Sequence, residues 1–195
     1  VPTYEKLDEN AENLAGAVDT FVDDKTEANL KAARQAWVAT RSPWEKSEAF
    51  LFGPVDSNGY DPALDSWPVN KTDLDAILTG DEELTEDYVS NLDPAVKGFH
   101  TVEYLLYGDG GTKKPGDFTD REIKFLKMVT AELEGVADAL ATSWTEGVDG
   151  AEAYRDVFVS AGDSGNKAYP SLSSAGQEIV DGMVSIVDEG GNGKR

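Results

Sequence analysis

The chain has 195 residues, 39% of them hydrophobic, with seven Tyr, seven Phe and four Trp, which suffices for a packed core and argues against disorder. Its 38 acidic and 17 basic side chains give a formal charge of −21, which disfavours nucleic acid and anionic membranes and weakly favours metal cations or basic peptides. It has no cysteine, hence no disulfide, thiolate ligand or cysteine nucleophile, and no apolar run reaches the ~20 residues of a membrane span.

In chain order, Tyr4, Leu7, Ala11, Leu14, Val18 and Phe21 keep a period near 3.6 and predict a helix from about Thr3 to Val22, with Thr3 as N-cap. After a polar turn, Thr26 should cap a second helix carrying Leu30, Ala33, Trp37, Arg41, Trp44 and Glu48, which Pro43 is expected to kink or divide. Between Phe52 and Asn70, the dipeptides Gly53-Pro54, Asn58-Gly59, Asp61-Pro62 and Trp67-Pro68 predict one long ordered loop. A calcium loop is disfavoured there, because Tyr60 and Asp61 stand where the EF-hand pattern needs an oxygen ligand and a glycine.

Thr72 and Thr85 are the expected caps of two short helices, ending near Leu78 and Leu92. Asp93-Pro94 should open the next helix, which carries Gly98–Leu106 and stops at Gly108. The glycine-rich stretch 109–117 lacks a phosphate-loop pattern and is read as a connector. Thr119 and Glu122 form a capping box for the longest helix, with Ile123, Leu126, Val129, Leu133, Leu140 and Trp144 in register. A shorter helix over about Ala151–Val159 follows, then a break. The last helix carries Leu172, Ile179, Val180, Met183 and Ile186, and the end, Gly190–Arg195, is expected to be frayed. With no alternating strand pattern the fold class is all-α, and an up-and-down four-helix bundle is the expected architecture.

Two ionisable groups interrupt an apolar stripe. Val96, Phe99, His100, Glu103 and Leu106 share one helix face, and His100 is the only histidine. An HxxE spacing alone is close to chance, and a histidine hydrogen-bonded in a core is its ordinary explanation. The second helix adds to it. Trp37, Arg41, Trp44 and Glu48 again form one stripe, and Glu45 lies within reach of Arg41. A buried arginine needs a partner, so one glutamate is expected to pair with Arg41, leaving the other to face His100 and Glu103. Carboxylates with one imidazole in a helical bundle suit iron, manganese or zinc better than copper. There is no HExxH, and nothing like GxSxG surrounds Ser47.

Gly98-x-His100-x-x-Glu103, followed by Tyr104-Leu105-Leu106, resembles the GxHxxE signature of the imelysin family. The resemblance extends to Trp37-x-x-x-Arg41-x-x-Trp44-Glu45-x-Ser47-Glu48 with Gly53-Pro54, and to Asp61-Pro62-x-Leu64-Asp65-x-Trp67-Pro68. It implies a helical protein of the bacterial cell envelope, exported and often lipid-anchored, in a family catalogued as metallopeptidases with relatives in iron uptake. The start at Val1, without Met, fits an export signal removed upstream. The motif carries over as His100 and Glu103 with Gly98, and the upstream block as Arg41, Glu45, Ser47 and Glu48. Asp65 falls in the predicted loop, where its side-chain direction is not given by the sequence. Two stacked bundles are expected of the family. Residues 1–147 would be the bundle carrying the motif, and 148–195 the opening helices of a second, incomplete one.

Three functions follow from the resemblance. The first is a metal-binding envelope protein in iron uptake or handling, using His100, Glu103, Glu45 and Glu48 for a divalent metal, iron or zinc. Its partners would be the metal and other envelope or iron-uptake proteins, with membrane contact only through a lipid anchor outside this chain. The second is a metallopeptidase with Glu103 or Glu45 as general base, for which one imidazole is lean. The third is a non-catalytic binding module whose polar cluster only rigidifies the bundle.

Overall fold

The computed structural model describes residues 1–188, and among them the chain is all-α. Helices α1 (Pro2–Asp23) and α2 (Glu27–Ser47) form a hairpin. The cap of α1 is Val1 and not Thr3, because Pro2 takes the first helical position, where a missing N–H leaves no bond unmade. Thr26 caps α2 as expected, accepting the Asn29 N–H at 3.2 Å. Pro43 does not divide α2, which runs through it to Ser47. Proline cannot donate to the Ala39 carbonyl four residues back. The Asn10 side-chain amide of α1 makes that bond instead, at 2.7 Å.

The predicted loop after Phe52 is in part helical, with short segments α3 (Pro54–Ser57) and α4 (Tyr60–Asp65). Gly53 and Gly59, at φ of +67° and +70°, sit at their N-caps, and Val55 and Leu64 are fully buried. Gly53-Pro54 and Asn58-Gly59 therefore start helices here. Helix α5 (Lys71–Thr79) is capped by Asn70, which accepts the Asp73 N–H, and not by Thr72. Helix α6 (Glu86–Ser90) is capped by Thr85 as expected.

Asp93-Pro94 opens a separate 3-10 turn, Pro94–Val96, and not the motif helix. Lys97 is extended, and α7 (Gly98–Tyr107) begins after it. Gly98 has φ +73°, and a Cβ there would lie 2.8 Å from the Ala63 carbonyl oxygen and closer still to that of Leu64. Only glycine lets the end of α4 approach α7 this closely. Helix α8 (Asp120–Thr145) carries the expected capping box, with Thr119 accepting the Glu122 N–H and Glu122 accepting that of Thr119. Helix α9 (Tyr154–Val159) starts later than expected, and α10 (Leu172–Asp188) follows. The stretch Gly190–Arg195 lies outside the described residues.

The core forms where α1 packs on α2 and α8, and α7 on the same two helices. Leu14, Phe21, Leu30, Trp44, Phe99 and Phe125 are completely buried in it, each worth about 1.5–3 kcal/mol of transfer free energy. Helix α10 packs on the 3-10 turn Glu48–Phe50, while its Leu172, Val184 and Val187 stay exposed. No helix among the described residues is long and apolar enough to cross a membrane.

Candidate functional site

Phe99, Val102, Leu105 and Leu106 of α7 point into the core. The other flank, His100, Glu103, Tyr104 and Tyr107, faces a cleft. The pattern is narrower than the sequence suggested: His100 and Glu103 are not core residues, their side chains being 18% and 42% exposed.

Behind His100 stands Asp65, the last residue of α4. Its Oδ1 lies 3.1 Å from His100 Nε2 and also pairs with Arg41 Nη1, while Oδ2 accepts the Trp44 indole N–H at 2.8 Å. Burial alone would raise the Asp65 pKa, but hydrogen bonds from His100, Arg41 and Trp44 outweigh it and hold the carboxyl below its ordinary value. Arg41 Nε pairs with Glu45 Oε1 at 2.6 Å, and its guanidinium lies over the Phe99 ring at 5.1 Å. Trp37 adds an indole N–H to the Phe99 carbonyl at 3.0 Å. One carboxylate thus joins α2, α4 and α7.

In front of His100, Nδ1 lies 3.4 Å from Glu103 Oε2, and the Trp67 ring leans on the imidazole at 4.6 Å between centroids. The cleft has a volume of about 560 Å³ and is walled by Trp67, Pro68, Tyr104 and Tyr107. At its rim, Lys71 Nζ is 2.5 Å from Asp109 Oδ1 and 5.0 Å from the centre of the Tyr104 ring. Burial raises the pKa of both tyrosines, so they stand as neutral phenols at physiological pH. Arg34 lies over the Tyr107 ring at 4.8 Å and donates to the Leu106 and Lys113 carbonyls, tying the end of α7 to the loop beyond it.

Of the residues named from the sequence, His100, Glu103, Asp65, Arg41 and Gly98 come together. Glu45 is held by Arg41, which lies between it and Asp65. Glu48 leaves the α2 stripe because α2 ends at Ser47 and a 3-10 turn begins. The Ser47 hydroxyl is buried and donates to the Trp44 carbonyl at 2.7 Å. Among the described residues, no group of three or more His, Asp or Glu is placed to hold a metal ion. A resident metal caged by His100, Glu103, Glu45 and Glu48 therefore does not fit, since Arg41 draws Glu45 away and His100 turns Nε2 to Asp65. The cleft walls Trp67, Tyr104 and Tyr107 were not singled out from the sequence as site residues. Their signal was available: Tyr104 and Tyr107 lie four and seven residues after His100, on its own helix flank.

These features define an all-helical protein whose lone histidine is clamped by an aspartate at the mouth of an aromatic cleft. The chain belongs to the imelysin family: residues 1–194 match the family model described as imelysin, under a peptidase label. It is 39% identical over 189 residues to iron-regulated protein A of Synechococcus elongatus, an alignment covering 97% of this chain and 49% of that protein. It also resembles a crystal structure described as an iron-regulated protein A precursor from Parabacteroides distasonis, with a TM-score of 0.84, 30% identity, and coverage of 99% of this chain and 56% of that one. An imelysin-like protein from Psychrobacter arcticum shares the fold, with a TM-score of 0.60, 16% identity and coverage of 96% and 55%. The chain spans about half the length of the relatives it matches.

Proposed function

We propose that this chain is an iron-handling protein, exported to the periplasm or the outer-membrane surface, that holds iron as cargo at the cleft-facing edge of His100 and Glu103. The observation that carries this reading is the bonding of the imidazole. His100 Nε2 lies 3.1 Å from the Asp65 carboxylate, so when the ring is neutral with its proton on that side, Nδ1 presents a lone pair to the cleft. That lone pair lies 3.4 Å from the Glu103 carboxylate, and a cation relieves two electron-rich groups at such a distance. A nitrogen and a carboxylate oxygen suit iron, and the name of the relatives, iron-regulated protein A, supports that metal over zinc.

Each residue then has a task. His100 and Glu103 are the donors, and Asp65 fixes the ring, as carboxylates behind metal-binding histidines do. Arg41 and Trp44 hold Asp65, and Gly98 lets α4 bring it close. The remaining positions on iron would be filled by water or by a small chelator carrying the metal. A peptidase needs about three protein ligands around a metal-bound water. The cleft offers two, so cargo is the reading the geometry supports better.

Equilibrium dialysis with anaerobic Fe(II), with Fe(III)-citrate and with Zn(II), with metal counted by atomic absorption, tests it. Folded His100→Ala and Glu103→Gln should lose bound iron. Asp65→Asn should weaken binding by about 10–100-fold. Equal iron uptake by wild type and His100→Ala would sink the proposal, and tighter binding of zinc would reassign the metal.

A further inference from the structure

The aromatic part of the cleft has no task in holding iron, yet its chemistry is specific. Trp67 has the most strongly cation-attracting kind of ring, and it is 71% exposed, leaning on the His100 imidazole. Tyr104 already carries an ammonium group, that of Lys71, at 5.0 Å. Glu103 supplies a carboxylate on the same wall, and Lys71 is itself neutralised by Asp109 at 2.5 Å. The whole chain, at −21, draws cations toward it. Rings beside a carboxylate are a recognition site for organic cations. A volume of about 560 Å³ suits a small molecule better than an extended peptide.

We infer that this cleft binds a small primary alkylammonium ion between Trp67 and Tyr104, with Glu103 as counter-charge, and that the Lys71 ammonium occupies part of that site in the free protein. The ligand takes the Tyr104 face by displacing Lys71, which stays paired with Asp109. The inference shares Glu103 with the iron proposal, but it also needs Trp67 and Tyr104 and does not need His100 Nδ1, so the two can fail separately.

Titration calorimetry with n-butylammonium and 1,5-diaminopentane, against neutral 1-pentanol, is the test. Trp67 and Lys71 lie outside the core, so their variants report on binding and not on folding. Trp67→Ala should weaken amine binding by about fivefold or more, and Lys71→Met should tighten it by about threefold, as expected when one ring is taken from the cation or one ring face is freed for it. His100→Ala should lose iron and keep the amines, which separates failure of one proposal from failure of the other. An absence of heat with both amines overturns the inference, as does equal affinity for pentanol or an unchanged Trp67→Ala. Binding confined to N-acetyl-lysine methylamide overturns the assignment to a free amine and points to a peptide side chain.

Discussion

Replacing Asp65 by Asn separates the charge of this residue from its shape. The amide keeps the volume but puts an NH2 where an acceptor oxygen stood, so at least one of Arg41, Trp44 and His100 meets a donor in place of an acceptor. The side chains of Asp65, Arg41 and His100 are only 13%, 15% and 18% exposed, so water replaces little of what is lost. A hydrogen bond to a charged group contributes about 1.5–3 kcal/mol, and breaking a buried pair costs about 3–5 kcal/mol. Glu45 stays on Arg41 at 2.6 Å and offsets part of the loss, though at 46% exposure its hold is well screened. The expected destabilisation is about 3 kcal/mol, or a fall in Tm of about 6–12 °C for a chain of this size. Urea unfolding of chelator-treated protein at pH 7 measures it. Because the Asp65 pKa is depressed in the fold, its contribution is complete above the ordinary carboxylate value and is lost as pH falls through the folded value. The part of the gap that comes from the Asp65 charge should therefore be complete at pH 7 and narrow below about pH 4. Glu45→Gln, the exposed control, should cost less than about 1 kcal/mol. The reasoning fails if Asp65→Asn lies within about 1 kcal/mol of wild type at pH 7, or if the gap persists undiminished in acid.

Gly98→Ala combines a left-handed backbone with a Cβ driven into the Leu64 and Ala63 carbonyls, and should cost at least about 2 kcal/mol by thermal unfolding. Asn10→Ala removes the donor that serves the Ala39 carbonyl opposite Pro43, and should cost about 1 kcal/mol in wild type. In a Pro43→Ala background a helix N–H takes over that carbonyl, so the same change should cost nearly nothing; equal costs in both backgrounds would show that the two do not share it. Glu122 accepts from Lys113 Nζ at 2.6 Å and from the Thr119 N–H at 2.8 Å. Burial alone would raise its pKa, and these bonds outweigh burial and lower it. Glu122→Gln should therefore cost about 1–2 kcal/mol at pH 7, a difference that closes as pH falls through the folded value and is read by urea unfolding at stepped pH.

The long helices were legible because their signals agree at every level. In α1 and α8 the apolar period is unbroken, in α2 Arg41 alone interrupts it, and for α2 and α8 the capping residue stands where the helix begins. The predicted loop after Phe52 proves partly helical because Gly-Pro and Asn-Gly mark a helix start as readily as a turn, and the burial of Val55 and Leu64 decides between them. Asp93-Pro94 misled for the opposite reason. Its capping geometry is present, but the extended Lys97 breaks the helix before the motif.

At the site, HxxE was visible, and Asp65 was named only through the family block with no direction for its side chain, because local spacing favours the wrong acid. Glu45 lies one helical turn after Arg41 and does pair with it, but near the surface. The buried acceptor arrives from Asp65, 24 residues further along, on a segment with no periodicity to aim it. The stripe nonetheless contained the clue that an acid was missing. Arg41 and the Trp44 indole are both donors, and two donors on one buried face require an acceptor from elsewhere. Gly98 explains how that acceptor gets there. Without a Cβ it admits the carbonyls of Ala63 and Leu64, and the next residue of α4 is Asp65. The glycine and the histidine of the motif are therefore coupled: the first makes room for the chain that carries the carboxylate, and the second receives it. The glutamate at the third motif position is left to the cleft, beside His100 Nδ1 and Trp67.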